Sequence, residues 1–151
     1  MIVLWNIASD LNAIVVSDRR GLREVCHVLA SAGRFAMDTE FIREQSYRPQ
    51  LCLVQVATDD RVALLDPLRV DLTELWPLVT DASLVKIAHA GTQDWEMCFL
   101  ACGQGPANVF DVQVAAGLAG LPYPCSYGKL VQHILHRDIP QGHSFISWRS
   151  H

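Results

Sequence analysis

The fold is decided by residues 35–66, FAMDTEFIREQSYRPQLCLVQVATDDRVALLD. Three strand-like runs lie in this stretch: FAMDTEF (35–41), LCLVQVAT (51–58) and VALLD (62–66). A polar excursion separates the first two runs, and the turn Asp59-Asp60 separates the last two. Runs of β-branched and aromatic residues between turn signals are typical of strands. The stretch therefore predicts an antiparallel meander of three strands.

Helical and strand patterns alternate on both sides of this meander, which predicts one α/β domain with a mixed sheet flanked by helices. We expect this domain to span residues 13–151, after an N-terminal extension of residues 1–12. The other predicted elements are a strand AIVV (13–16), a helix from Ser17 or Asp18 to Gly33, a helix DLTELWPLV (71–79), a strand LVKIAH (84–89), a helix TQDWEMCFLAC (92–102) capped by Thr92 and closed at Gly103, a strand ANVFD (107–111), a helix DVQVAAGLAG (111–120) and a helix SYGKLVQHILH (126–136) begun by Ser126.

The composition is that of a soluble globular protein. Of the 151 residues, 50% are apolar and 19% are charged, and a chain of this length fits one domain. No uncharged apolar run reaches the ~18 residues that a membrane span requires. The N-terminus lacks the basic region of a signal peptide, so we expect a cytoplasmic protein.

The five cysteines form no CxxC pair and no disulfide framework, so the pattern predicts buried thiols. Cys98 and Cys102 are separated by one helical turn, and His89 is near in sequence. A zinc site at these residues is therefore an alternative, although a second closely spaced pair of ligands is missing.

Asp38 and Glu40 stand at positions i and i+2 of a run that is otherwise Phe, Ala, Met, Thr and Phe. In a strand, both carboxylates project from the same face. Two close carboxylates in an apolar setting must share a proton or hold a cation, and Mg²⁺ prefers such oxygen ligands. The alternative is that Glu40 begins a loop and Asp38 pairs with an arginine.

A third acid, Asp94, follows a predicted buried strand in the sequence His89-Ala-Gly-Thr-Gln-Asp94. It falls in the first turn of a predicted helix, where backbone N–H groups and the helix dipole favour an ionised, metal-binding carboxylate. The alternative is that Asp94 only supports the helix start and that His89 is a hydrogen-bonded residue at the strand end.

Longer stretches around these acids resemble a known family. DTEFIREQSYRPQLCLVQVA (38–57) resembles the first exonuclease motif of ribonuclease D-like proteins and its continuation, and VKIAHAGTQDWEMC (85–98) resembles the second. The similarity extends from about residue 13 to Arg149, and includes FDVQVAAGLAG (110–120), SYGKLV (126–131) and GHSFISWR (142–149). The chain is thus similar to DEDD-type 3'-5' exonuclease domains.

This resemblance implies a ribonuclease H-like fold and hydrolysis of phosphodiester bonds at nucleic-acid 3' ends with two Mg²⁺ or Mn²⁺ ions. It implies that Asp38, Glu40 and Asp94 are catalytic and are three of the four metal-binding acids. It also suggests that Thr39, Phe41 and His89 contact the nucleic acid, a single-stranded RNA or DNA 3' end. The net charge of −4 does not oppose this reading, because two divalent ions would bring it to −4 + 4 = 0.

The family's fourth acid belongs to a Tyr-x-x-x-Asp motif beyond the tryptophan-arginine segment, and the 151 residues contain no such sequence. We therefore expect a domain that is incomplete before the third exonuclease motif. His133 and Asp138 form a His-x4-Asp spacing that could replace it, but they precede the position of the family's third motif. The alternative function is a catalytically impaired module that binds nucleic acid or a protein partner.

Overall fold

The computed structural model of the chain describes residues 13–42 and 49–139. The expected N-terminal extension, the GHSFISWR similarity and the residues after Ile139 lie outside these ranges. The described residues form six strands, five helices and a short 3-10 helix at Leu72–Glu74. The strands are β1 (Ile14–Val16), β2 (Arg34–Ile42), β3 (Gln50–Ala57), β4 (Val62–Leu65), β5 (Val85–Ala88) and β6 (Val109–Asp111). The helices are α1 (Arg19–Ala32), α2 (Trp76–Thr80), α3 (Thr92–Cys102), α4 (Val112–Leu118) and α5 (Tyr127–Leu135).

All six strands form one sheet in the order β1-β4-β3-β2-β5-β6. Strands β2, β3 and β4 pair antiparallel, whereas β1 pairs with β4, β5 with β2, and β6 with β5 in parallel. The predicted meander and the predicted mixed α/β sheet are both confirmed. In the β2–β3 ladder, Asp38 lies opposite Gln55 and Glu40 opposite Leu53. The register shifts between Glu40 and Phe41, so the two strands bend just after the acidic pair.

Helix α1 follows β1 and begins at Asp18, whose Oδ1 accepts a hydrogen bond of 2.9 Å from the Gly21 N–H. This is one of the two predicted caps. The helix ends at Gly33, whose φ of +71° is a conformation that residues with a Cβ rarely adopt. The predicted bounds of this helix are therefore confirmed at both ends.

The main hydrophobic core lies between α1 and one face of the sheet. Helix α1 contributes Leu22, Val25 and Leu29 at helical spacing, and all three are buried. Phe35 and Met37 of β2 pack in the same core. Full burial of each such side chain stabilises the fold by roughly 1.5–3 kcal/mol. Because strand residues alternate between faces, this core also decides which way the residues between Phe35 and Ile42 point.

The predicted helix over residues 71–79 is confirmed in part, because the segment is helical but is not one continuous α-helix. The chain instead forms the 3-10 helix Leu72–Glu74, capped by Asp71, and then the short helix α2, which has a proline in its first turn. Pro77 has no N–H to donate to the preceding turn, so a continuous helix would be broken there. A proline in the first helical turn costs little, and the new helix begins at Trp76 for that reason.

Candidate active site

The acidic pair lies in the middle of β2. Phe35, Met37 and Thr39 are buried on the core side, whereas Asp38 and Glu40 are half-buried and alternate with them. The two carboxylates therefore leave the strand on the face opposite the α1 core. This is the common face that the i, i+2 spacing predicted, and Glu40 belongs to the strand and not to a loop.

Asp94 is brought to this strand from α3. It lies in the first turn of that helix and is 8% exposed. Its Oδ1 accepts two hydrogen bonds from Thr39, one from the backbone N–H at 2.8 Å and one from the hydroxyl at 2.6 Å. Thr39 lies between Asp38 and Glu40, so Asp94 is tied to the strand at the centre of the acidic pair.

Helix α3 does not begin as predicted. Its N-cap residue is Gly91, and Thr92 is the first helical residue and not the cap. A Cβ at Gly91 would lie 2.7 Å from the Ala88 Cβ and 2.9 Å from the Trp95 Nε1, distances that real Cβ atoms do not show. Only glycine fits this close approach of the loop to the helix. The predicted end at Gly103 is confirmed, with φ +73° and a 2.8 Å hydrogen bond to the Phe99 carbonyl.

Asp111 anchors the loop that carries Asp94. Its carboxylate accepts hydrogen bonds from the N–H groups of Ala90 at 3.1 Å and Gly91 at 3.0 Å. It also caps α4 by accepting from the N–H groups of Gln113 at 2.8 Å and Val114 at 3.4 Å. The sequence predicted that a helix starts at Asp111, but not that this residue anchors the loop. The signal available was an acid at the end of a parallel strand beside the strand that leads to His89.

The pKa of Asp111 follows from these contacts. Burial alone raises the pKa, but the four backbone N–H groups outweigh it and hold the pKa below the usual value for aspartate. A carboxylate with a depressed folded-state pKa stabilises the fold above its unfolded-state pKa of ~3.9. That contribution disappears as the pH falls through the folded-state value.

Replacing Asp111 is expected to destabilise the fold. Asp111→Ala should lower the free energy of unfolding by about 2 kcal/mol, because it removes a helix cap and leaves two loop N–H groups without their acceptor. Urea unfolding of the wild type and the variant at pH 7 and pH 3.5 measures this loss, which should shrink at the lower pH. Asp71→Ala, which removes only a cap on the exposed 3-10 helix, is the matched control. Equal losses in both variants would contradict the loop-anchoring role.

Burial disfavours the ionised forms of Asp38 and Asp94. Burial is the largest cause that raises the pKa of Asp38, to about 7, and the charges of Asp94 and Glu40 raise it further. Burial also raises the pKa of Asp94, although the two hydrogen bonds from Thr39 oppose the shift. Because burial and mutual repulsion disfavour the negative charges of these carboxylates, a bound cation would be favourable here.

The donor set suits a hard divalent cation. Asp38, Glu40 and Asp94 interact electrostatically and offer carboxylate oxygens, the ligands that Mg²⁺ and Mn²⁺ prefer. Within residues 13–42 and 49–139, however, no three His, Cys, Asp or Glu side chains already stand in an arrangement that would hold one ion. The Asp94 Oδ1 is occupied by the two hydrogen bonds from Thr39. The three acids fit a metal site that still requires rearrangement or a further ligand.

Two other residues near the site were predicted to contact nucleic acid. His89 directly follows β5, and its ring contacts the Tyr127 ring edge-on, with the two centroids 5.5 Å apart. Its Nδ1 is buried and has no hydrogen-bond partner among the described residues. Burial lowers the pKa of His89, while Asp111 and the Cys125 carbonyl act in the opposite direction. Phe41 is half-buried just beyond the β2 bulge. Contact of Thr39, Phe41 or His89 with nucleic acid stays a prediction.

The remaining sequence candidates lie elsewhere. His133 and Asp138 are exposed at and after the end of α5. Cys98 and Cys102 have their Sγ atoms 3.9 Å apart, but Cys102 is exposed, so the prediction of buried thiols is wrong for that residue. The reason is its position at the last residue of α3, where the helix leaves the core.

None of the described helices has the length and apolar character to cross a membrane.

Comparison with known proteins agrees with the family resemblance. A family model described as 3'-5' exonuclease matches residues 13–151. Ribonuclease D from Zymomonas mobilis is 39% identical over 137 residues, which are 89% of this chain and 35% of the relative. The chain thus spans about a third of the length of the curated relatives it matches.

Solved structures give the same result. Escherichia coli RNase D, described as an exoribonuclease involved in structured RNA processing, superposes with a TM-score of 0.81 at 29% identity, covering 89% of this chain and 36% of that one. Trypanosoma brucei RNase D in complex with RNA U12 superposes with a TM-score of 0.73 at 21% identity, covering 83% and 48%. The predicted ribonuclease H-like fold is confirmed by these neighbours.

Proposed function

Because this chain belongs to the ribonuclease D-like family of 3'-5' exonucleases, we propose that it is an exonuclease domain that removes nucleotides from RNA 3' ends. The observation that carries the proposal is the bond between Asp94 and Thr39, which joins the two family motifs between Asp38 and Glu40. Thr39 and Asp94 are 55 residues apart in sequence, so it is the fold that brings the second motif to the strand that carries Asp38 and Glu40. A purely structural acidic pair would not require the third acid.

We propose Mg²⁺ or Mn²⁺ as the cofactor, in two sites, since the family generally uses divalent metal ions. Asp38 would contribute to both sites, Glu40 to one and Asp94 to the other. The bound ions would supply an activated water and would neutralise charge at the departing 3' oxygen. The donor chemistry and the raised pKa of Asp38 support this assignment.

Other features of the chain would orient the metal-binding carboxylates and exclude water from them. Thr39 holds the Asp94 Oδ1, which leaves the Oδ2 as the oxygen for a cation. Burial of Asp38 and Asp94 excludes water from around the carboxylates, and this strengthens their attraction for a positive charge. Burial lowers the pKa of His89, so at neutral pH its ring carries one N–H, and the Cys125 carbonyl would compete with a phosphate for that donor.

We propose the 3' end of single-stranded RNA as the substrate, in the cytoplasm. The description of Escherichia coli RNase D as an exoribonuclease and the complex of Trypanosoma brucei RNase D with RNA support an RNA substrate. Thr39, Phe41 and His89 border the acids and are the proposed contacts with the terminal nucleotide. The five free cysteines fit a reducing compartment.

A second candidate function is a nucleic-acid-binding or partner-binding module with little activity. It is favoured by the lack of a Tyr-x-x-x-Asp sequence in these 151 residues, and by the lack of a ready three-ligand metal site among the described residues. In this function the domain would bind nucleic acid or a protein partner with little hydrolysis.

A time course with single-stranded RNA tests the first function against the second. With RNA labelled at its 5' end and Mn²⁺ present, an exonuclease of this family should produce a ladder that shortens from the 3' end. RNA ending in a 3' phosphate and DNA of the same sequence are the parallel substrates. Internal cleavage would contradict the proposal, and binding without shortening would support the module.

Metal binding should also stabilise the fold. At a Mn²⁺ concentration ~100 times the dissociation constant we expect a gain of ~2.7 kcal/mol, or roughly 5–10 °C in melting temperature for a domain of this size. The reason is that the ion relieves carboxylate repulsion that exists only in the folded chain. Asp38→Asn should remove most of the gain, whereas Asp60→Asn, in the exposed β3–β4 turn, should retain it. Thermal melts with and without Mn²⁺ decide whether the ions bind elsewhere.

A further inference from the structure

Gln55 is a buried polar residue that sequence analysis passed over. It lies on β3 directly opposite Asp38 in the antiparallel ladder and is 1% exposed. Its neighbours along the strand, Val54 and Val56, belong to the hydrophobic core on the other face. Gln55 therefore lies on the same face as the acidic pair.

The side chain of Gln55 makes one hydrogen bond in the described structure, and it is to the site. Its Nε2 donates to the Asp38 Oδ2 at 3.2 Å. Its Oε1 is also buried but has no hydrogen-bond partner among the described residues. An unsatisfied buried carbonyl costs free energy, whereas an apolar side chain of the same shape would avoid that cost. Packing alone therefore does not account for a glutamine at this position.

The orientation of the amide is dictated by Asp38. The ionised carboxylate, which is the form that binds a cation, only accepts hydrogen bonds, so the Nε2 group faces it and the Oε1 turns away. Thr39 holds Asp94 in a comparable way, through the Oδ1 alone. In both pairs a neutral, buried donor occupies one carboxylate oxygen and leaves the other oxygen of the same acid for a different partner.

We propose that Gln55 is a positioning residue of the nuclease site, which fixes the Asp38 carboxylate through the Oδ2 so that the Oδ1 is presented to the metal. This inference rests on the proposed function, because it requires that Asp38 bind a cation. Donors that orient metal-binding carboxylates typically change metal affinity or activity by 10–100-fold when they are removed. Gln55 would act on Asp38 only and would not touch the reacting phosphate.

The test compares three variants of the full chain. Gln55→Met and Gln55→Leu remove the amide while keeping an apolar side chain of similar size. Gln50→Leu makes the same kind of change at the exposed start of the same strand and is the matched control. Two quantities are measured for each: the Mn²⁺ dissociation constant, from the paramagnetic resonance signal of free Mn²⁺, and the melting temperature without metal.

We expect Gln55→Met to raise the Mn²⁺ dissociation constant by about 10-fold while the metal-free melting temperature stays equal or rises. Gln50→Leu should leave the dissociation constant unchanged. Unchanged Mn²⁺ affinity in both Gln55 variants would overturn the inference and leave the proposed function intact. So would unfolding of both variants without metal, since Gln55 would then be structural. A wild-type chain that binds no Mn²⁺ would overturn the proposed function as well.

Discussion

Asp38→Asn is expected to slow 3'-end shortening of RNA by on the order of 10²–10³-fold, because a cation that loses its shared ligand stabilises the transition state several kcal/mol less well. The amide keeps the shape of the side chain but removes the charge that burial and two neighbouring acids already penalise. The variant should therefore fold at least as well as the wild type without metal.

The measurement is the initial rate of shortening of a 5'-labelled RNA, with melting curves recorded on the same samples. Asp60→Asn makes the same chemical change in an exposed turn and should leave the rate within about a factor of two, as is usual for surface changes. If Asp38→Asn and Asp60→Asn shorten RNA at the same rate, the active site lies elsewhere in the chain.

A second large effect is expected from adding a Tyr-x-x-x-Asp segment. The 151 residues contain no such sequence, and the described acids do not yet form a group of three that could hold an ion. A fourth carboxylate would complete the ligand set, and the tyrosine would orient the attacking water. Misplacement of a reacting group by ~1 Å can cost 10²-fold, so a rate increase of on the order of 10²-fold or more is expected.

The experiment fuses this chain to the segment that follows the matched region in ribonuclease D from Zymomonas mobilis, which the chain resembles over 35% of its length. The control fusion carries Phe and Asn in place of the Tyr and Asp of the motif. Rapid shortening by the 151 residues alone, with no increase in the fusion, would show that the site is complete without this motif. His133 and Asp138 would then be the next residues to replace.

Local sequence pattern accounts for the elements and for the orientation of the acidic pair. The alternation of residues 35–41 placed Asp38 and Glu40 on one face, because side chains in a strand alternate whatever the tertiary structure. The capping signals at Asp18 and Gly33 predicted the limits of α1 for a similar reason, since they act over one turn. The predicted helix over residues 71–79 is divided into two short helices, although the cause, Pro77, was visible in the sequence.

The contacts that organise the site were decided by tertiary structure. Gln55 and Asp38 are 17 residues apart, Asp111 and Gly91 are 20 apart, and Thr39 and Asp94 are 55 apart. No local period relates such positions. Only the strand order, which sets β3 and β5 on either side of β2 and β6 beside β5, brings these donors to their carboxylates. The sequence by itself therefore determined which acids are available and which way the strand presents them. The sheet decided which neighbour holds each acid, because hydrogen bonds form between groups close in space whatever their separation along the chain.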